Sequence, residues 1–496
     1  MRKYYLDNIR WITVCIVALY HVIFMYNGIV SVGTVGAFHQ NQWQDGIMYL
    51  LYPWFMVLLF IVAGMCSRYY LEKHKIKEFI ASRSLKLLVP STLGLLVFYW
   101  IQGYISMSLS NAFESIPANA PPVVTYLIMA LSGQGVLWFA QLLWFFSIVL
   151  ALIAKIEKGK LYKLTEKVNT PVLILLVIPV FLSAQVLNTP VVAVYRFGIY
   201  GFTYLLGYFV FAHDEVIERL SRFSIPLIIT SVILGGLYLY LHFGDNYADM
   251  PVMGSPSAVA FCWSTCLAIL GSFRKWGNKT NSFLKYMSSR SFGIYVFHYI
   301  TLSGAALLLT KTVSMQPFVY YIIGIVTSIG GGLLLFEIIS RIPVLSWFTL
   351  GIRKGKKKMF KENLIQLRKL NKLSQEELAE KVGVTRQSIA KWESGDSMPD
   401  IEKSRLLAEI FNVTLDDLVN YEAGEALGMP TPPKGKHLFG IVTVGDKGQI
   451  VIPAKARKIF NISPGDELVV LGDESQGLAI IKADGFMKIM AMLKGM

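Results

Sequence analysis

Arg10 and His21 stand eleven residues apart in the stretch LDNIRWITVCIVALYH, inside a run that is otherwise mostly apolar. Eleven residues is close to three turns of α-helix, so both side chains fall on one face, with His21 roughly 16 Å further along the axis. An ionisable group deep in an apolar span is costly and faces a cavity or a partner. The spacing would set a guanidinium at the rim of a membrane and an imidazole near its middle, where a neutral ring can act as a general base. A plainer reading stays open, in which Arg10 snorkels to the surface and His21 ties two helices together. Arg196, in VVAVYRFGIYGF, lies near the outer end of its own span. It is expected to snorkel outward, the alternative being contact with an anionic glycan.

What must position these residues is a membrane bundle. The chain has 496 residues, of which 54% are hydrophobic and 16% charged. Soluble domains carry about 25% charged residues, so a purely soluble protein is excluded. The apolar excess fills residues 9 to 350 and stops at a lysine-rich break, Lys354–Met359. Ten segments are long enough to cross a bilayer: 9–27, 47–67, 87–107, 136–154, 171–187, 192–212, 224–242, 255–273, 291–310 and 318–340. A shorter apolar piece, 123–131, reads as re-entrant or as an outer loop. Lysine and arginine cluster at 2–10, 68–86, 155–167, 219–222, 274–290 and 341–358, while the alternate loops carry almost none apart from Lys311. Ten spans with both termini in the cytoplasm satisfy this bias at every turn. The N-terminus has the basic start of a signal peptide but no small-residue cleavage site, and reads as a retained first helix. The net charge of +15 suits anionic lipid, nucleic acid or a phosphorylated donor. Cys15, Cys66, Cys262 and Cys266 all lie in apolar runs without a histidine cluster, so no metal site is expected.

The motif Arg10-x10-His21 resembles the opening of the membrane acyltransferase-3 family. YPWFMVLLFIVAG, SRSLKLLVP, LWFAQLL and SFGIYVFH are similar to later segments of that family, in the same order, across about 1–345. The resemblance implies transfer of an acyl group from cytosolic acyl-CoA to a hydroxyl of a glycan or lipid-linked saccharide in a bacterial cell membrane. It makes His21 the general base or acyl relay, sets Arg10, Arg83 and Lys86 on the phosphates of the donor, and brings His298 to the acceptor or leaves it a packing residue. Lys86 stands where the family's loop carries a second arginine. A lysine binds phosphate as a point charge without the guanidinium's fork.

From Phe360 the pattern changes to short amphipathic helices. Residues 360–371 read as the first. Ser374 caps the second, with Glu377 three residues on in a capping box, and Gly383 turns the chain. Thr385 caps a third through about Glu393, and Asp400–Phe411 and Thr414–Val419 complete five. The spacing Gln375-x3-Ala379-x3-Gly383, then Ile389, Trp392 and Gly395, resembles the XRE-type helix-turn-helix over 360–420. Such a motif lays its second helix in the major groove of double-stranded DNA. The resemblance implies base reading by Gln387 and Ser388, base or phosphate contacts by Arg386 and Lys391, a role for Thr385 at the head of that helix, and a backbone contact by Gln375.

A Gly-Pro linker, 421–436, leads into alternating apolar and polar residues around glycine turns. Gly448 to Arg457 resembles the swapped-hairpin AbrB fold, which makes Lys447, Arg457 and Lys458 candidate DNA contacts; Thr443 and Gln449 stand where some relatives carry arginine. Residues 437–496 form too short a piece to bury a core alone, so a homodimer through this domain is expected. The expected fold is therefore mainly α: a ten-helix polytopic bundle over 1–345, a basic linker at 346–359, a five-helix domain and a small swapped-hairpin β domain. Two other readings compete with a catalytic chain that carries a DNA-binding regulator. One is a tethered regulator whose bundle only senses; the other is two neighbouring genes joined near Met359.

Overall fold

A computed structural model describes residues 3–486 except 30–34, 37, 39–41, 118, 158, 190–194, 313–314, 353–355, 396, 422–430, 438, 440–441, 446–447, 476 and 485. The chain forms two compact units, Met1–Arg353 and Lys354–Met496.

The first unit is helical. Among the described residues, eight helices are long and apolar enough to cross a membrane: Tyr4–Met25, Trp43–Leu71, Ile76–Leu109, Gly135–Glu157, Ser224–His242, Pro256–Lys275, Ser282–Thr310 and Pro317–Ile339. They fall on eight of the ten expected segments. The remaining two, 171–187 and 192–212, form the shorter apolar helices Thr170–Ala184 and Phe197–Phe211. An apolar run is not by itself a helix: Leu187 adopts φ 56, so the helix has ended before the apolar residues do. The short stretch near 123–131 is the helix Pro122–Ser132. At the far end Pro343–Leu350 is a helix that packs with this unit, so the basic linker is shorter than its sequence suggests.

Two contacts fix the bundle where chemistry could occur. The helix Tyr4–Met25 lies along Ser282–Thr312, and its first turn is held by the Asn8 amide, which donates to the carbonyls of Gly277 (2.8 Å) and Lys279 (2.9 Å). Phe55–Leu71 meets Phe197–Leu206 backbone to backbone. A Cβ on Gly64 would stand 2.0 Å from the Tyr204 carbonyl oxygen, and one on Gly207 would stand 2.1 Å from that of Ile61. Neither neighbour is a flexible side chain that can give way. Gly64→Leu is therefore expected to abolish recovery of monodisperse protein in detergent, measured by size exclusion. Gly330→Ala, which faces open space, should leave it unchanged.

In the second unit the helices Lys356–Leu370, Gln375–Val382, Arg386–Ser394, Ile401–Ile410 and Leu415–Asn420 surround a core of Phe360, Leu364, Leu378, Ile389, Trp392 and Leu407. The capping box forms as the sequence implies: Ser374 Oγ accepts from Glu377 N, and Glu377 accepts from Ser374 N at 2.7 Å. That backbone N–H holds the Glu377 carboxyl below its ordinary range. Gly383 takes φ 68, a left-handed position that glycine adopts freely, between the second and third helices. Asn363 clamps the last helix by donating to the carbonyls of Asp417, Leu418 and Tyr421. Further on, a short helix Ala454–Ile459 precedes the antiparallel pair Leu468–Asp473 and Gly477–Lys482, in the register Val470 opposite Ile480.

Candidate active site and nucleic-acid surface

Three cations from two distant stretches of the sequence line one cavity. Arg10 from the first helix, and Arg83 and Lys86 from Ile76–Leu109, border a space of about 470 Å³. The helix opens into a π-helical turn at Ser84–Leu88, which carries Lys86 and follows directly on Arg83. Such turns recur at functional sites because they change where side chains project. Arg83 is aimed by its bond to Ser67 Oγ (3.0 Å), which in turn exchanges a bond with the Tyr204 hydroxyl (2.8 Å). Arg10 is steadied by Asp7 at 3.1 Å and stays 44% exposed. The opposite wall is Ser288, Ser289 and Ser291 at the start of Ser282–Thr312. Sequence reasoning missed these serines; the signal was the polar tetrad Ser288–Ser291 just where an apolar span begins.

Val14 and Tyr295 also line this cavity. Tyr295 precedes His298 by three residues, roughly 4.5 Å along the helix. There the two histidines meet: His298 Nε2 lies 3.1 Å from His21 Nδ1. The hydrogen positions follow from the partners. His298 Nδ1 sits 2.8 Å from the Tyr295 carbonyl and 3.1 Å from that of Ile294, and a carbonyl only accepts, so Nδ1 carries the hydrogen. The neutral ring then has a lone pair on Nε2, which accepts from His21. His21 Nδ1 also lies 2.9 Å from the Val17 carbonyl, so its hydrogen is on Nδ1 too. The lone pair of His21 is thereby left on Nε2, with no hydrogen-bond partner among the described residues. That is the protonation pattern of a general base oriented by a second group.

For His298, left open between the acceptor and packing, and for Arg196 the geometry departs from the first expectation. His298 is 0% exposed with both nitrogens engaged, the arrangement of a packing and positioning residue. His298→Ala is expected to lower kcat by about tenfold to a hundredfold while donor KM stays put, because only the orientation of His21 is lost. Steady-state kinetics on the purified chain would separate the two constants. Arg196 is a second correction: it is 2% exposed and points inward, so it does not snorkel.

On the second unit, Gln387 and Lys391 are exposed and Ser388 half-exposed along one side of Arg386–Ser394. Thr385 Oγ1 accepts from Ser388 N, so this residue caps the helix. Arg386 pairs with Glu376 at 2.8 Å across the turn, both side chains being exposed. Gln375 donates to Glu393 at 2.8 Å, and Arg368 grips the same carboxylate through Nε (2.6 Å) and Nη2 (3.1 Å). Glu393 stands in the helix-turn-helix spacing, beside Trp392 and Gly395, but Arg368 was not singled out from sequence and the pair was not foreseen. Arg457 and Lys458 are exposed on the short helix Ala454–Ile459; Lys447 lies outside the described residues.

A cation-lined cavity and a hydrogen-bonded histidine pair inside an apolar helix bundle are the features of a membrane enzyme, joined in one chain to a helix-turn-helix. An acyltransferase domain model matches residues 3–337, and the chain belongs to that acyltransferase-3 family. A helix-turn-helix model matches 364–418, and a model described as MazE, an antitoxin that recognises a toxin, matches 441–486. Over 63 residues, 13% of this chain and 31% of the relative, it is 44% identical to the HTH-type transcriptional activator BcrR of Enterococcus faecalis. Over 67 residues it is 39% identical to the HTH-type regulator YqaE of Bacillus subtilis, covering 14% of this chain and 58% of that one. The chain thus spans between about a third and three fifths of these two curated relatives. No solved structure matches. The chain thus joins an acyltransferase-3 domain with several apolar helices to a helix-turn-helix and an AbrB-like segment.

Proposed function

We propose that the bundle transfers an acyl group from acyl-CoA to a hydroxyl of a glycan or lipid-linked saccharide, with both termini in the cytoplasm of a bacterial cell. The observation that carries this reading is the convergence of Arg10, Arg83 and Lys86 on one cavity that is also lined by Tyr295, one helical turn from the His21–His298 pair. Guanidinium forks match phosphate oxygens, and the three cations suit the polyphosphate of the donor. The donor supplies an acyl thioester. His21 Nε2 takes the proton of the acceptor hydroxyl as its oxygen attacks the acyl carbon. The C–S bond breaks, the thiolate leaves, and the proton held on His21 returns to it. His298 Nε2 accepts from His21 Nδ1–H throughout and so favours the imidazolium that forms.

Arg83→Ala should weaken CoA binding to the detergent-purified full chain by about tenfold, read by calorimetry, because a charge-assisted phosphate contact is lost. Unchanged affinity would remove Arg83 from the donor site.

The tail binds double-stranded DNA on this proposal, with Gln387 and Ser388 reading bases and Arg386, Lys391 and Gln375 on base edges or backbone. Arg386 must first leave Glu376. Dimerisation follows from the β segment: among its described residues Ala456 is the buried apolar one, while Val470, Leu478 and Ile480 are exposed. A second copy would cover them and place Arg457, Lys458 and Lys447 in symmetric pairs, which suits a palindromic site. The oriented His21–His298 pair supports catalysis over a bundle that only senses.

A further inference from the structure

A groove of about 690 Å³ opens on the side of the bundle, lined by other residues than the donor cavity. The helix Phe197–Leu206 gives it Phe197, Gly201 and Leu205, which recur every four residues and so share one face. Phe145, Phe146 and Val149, near the middle of Gly135–Glu157, form another wall. A Cβ on Gly201 would stand 3.0 Å from the Phe146 ring, so the glycine keeps the floor recessed. One end is polar. Asn188 lines the groove there and bridges to Arg196, just before the helix begins. Its side-chain amide donates to the Ala184 carbonyl at 2.9 Å, while its Oδ1 is buried and has no hydrogen-bond partner.

The surroundings indicate what fills this space. Phe145, Val186 and Leu187 on its rim are exposed, so the apolar outer face of the bundle continues into the groove. The flanking helices Thr170–Ala184 and Phe197–Phe211 have about 15 residues each, roughly 22 Å, against about 30 Å for a hydrocarbon core. Where helices fall short of that thickness the surrounding lipid makes up the difference. An empty apolar slot forfeits dispersion contacts that an aliphatic chain would restore. The unmet acceptor at the polar end calls for a donor, which a phospholipid headgroup with an ammonium or hydroxyl supplies.

The groove also reaches the donor site. Tyr204 lines it, stacked on Phe146 with ring centroids 6.2 Å apart. The Tyr204 hydroxyl exchanges a bond with Ser67 Oγ at 2.8 Å, and Ser67 Oγ accepts from Arg83 at 3.0 Å. A chain packed on the tyrosine ring fixes the hydroxyl that, through Ser67, aims the guanidinium.

We propose that this groove seats an acyl chain of a phospholipid whose headgroup donates a hydrogen bond, and that its occupancy steadies Arg83 for the donor. The second half rests on the acyl-transfer reading; the lipid site does not.

The test gives the full chain in detergent a trace of phosphatidylethanolamine carrying a mid-chain diazirine, and maps the adducts by mass spectrometry after irradiation. Adducts should concentrate in 145–149 and 197–205 over the widely exposed helix Ser224–His242. Unlabelled phosphatidylethanolamine should compete about fivefold better than phosphatidylcholine, whose headgroup has no donor. Even labelling of the three segments, or equal competition by the two lipids, would mean ordinary surrounding lipid and overturn the site. Val149→Trp fills the groove and should remove the adducts at 197–205; their persistence in a monodisperse variant would also overturn it. If that variant is not recovered, Leu205→Trp fills the groove from the other wall with adducts read at 145–149, and if neither is, the wild-type map decides. By calorimetry, phosphatidylethanolamine should tighten CoA binding about fivefold or more in the wild type. Tyr204→Phe, which keeps the ring and removes the hydroxyl, should still be labelled but lose that response. Wild-type CoA affinity indifferent to the lipid would overturn the link to Arg83. An intact adduct map in a chain that never binds CoA would sink the donor reading and leave the lipid site standing.

Discussion

His21→Ala is expected to lower acyl transfer by roughly 10²- to 10⁴-fold, the range that a positioned general base contributes. The expectation rests on three linked contacts. Ile294 and Tyr295 carbonyls fix the hydrogen of His298 on Nδ1, His298 Nε2 accepts from His21 Nδ1, and the lone pair of His21 is left on Nε2. No other described histidine stands in this position, so nothing can substitute for the missing base. CoA binding should be unaffected, because His21 does not line the cavity of Arg10, Arg83 and Lys86. Loss of turnover with retained donor affinity is the signature to look for by single-turnover kinetics with a radiolabelled acyl group. His21→Gln, which can still hydrogen-bond to His298 but cannot take a proton, should be as inactive as the alanine variant. Activity in the glutamine variant would mean that His21 positions and does not act as base.

Glu393→Ala should destabilise the helix-turn-helix by about 3–5 kcal/mol, the cost of stranding one member of a buried ion pair. Glu393 is 8% exposed, and its carboxylate receives both the bidentate Arg368 and the Gln375 amide. Those bonds hold the Arg368 guanidinium above its ordinary range, and a guanidinium stays charged even without them, so alanine strands a cation at any accessible pH. The carboxylate also links the first, second and third helices of the domain, and its loss frees the end of the helix that carries Gln387 and Ser388. Urea unfolding of the isolated 354–496 tail, which is a compact unit in its own right, would read the change. Glu393→Gln keeps the shape and part of the hydrogen bonding and should lose less. A shift below about 1 kcal/mol for the alanine variant would mean the pair is screened as surface pairs are.

Much of this was legible in the sequence, where the signal is local. The eleven-residue step from Arg10 to His21 needs only helix geometry, and the capping box at Ser374–Glu377 and the left-handed Gly383 need only neighbours. The donor cations were named from motifs, and the structure shows them facing one cavity. What escaped was set by contacts distant in the chain. His298 lies 277 residues from His21, so their pairing has no periodicity to reveal it. Arg368 and Glu393 are 25 residues apart on different helices, and each looks like an ordinary surface charge until the turn between them closes. Arg196 was expected to snorkel because an arginine at the end of an apolar run usually can; here it is buried and donates to the Met253 carbonyl, 57 residues away. The segments 171–187 and 192–212 passed the apolar count for full spans, but Leu187 ends the first early and Phe197 begins the second late.

The measurement closest to the central claim is acyl transfer by the purified full chain reconstituted in vesicles, from labelled acetyl-CoA to a saccharide acceptor. The wild type should release CoA as label appears on the saccharide, Arg83→Ala should need a higher donor concentration, and His21→Ala should bind CoA and transfer nothing. Transfer by His21→Ala at the wild-type rate would contradict the account.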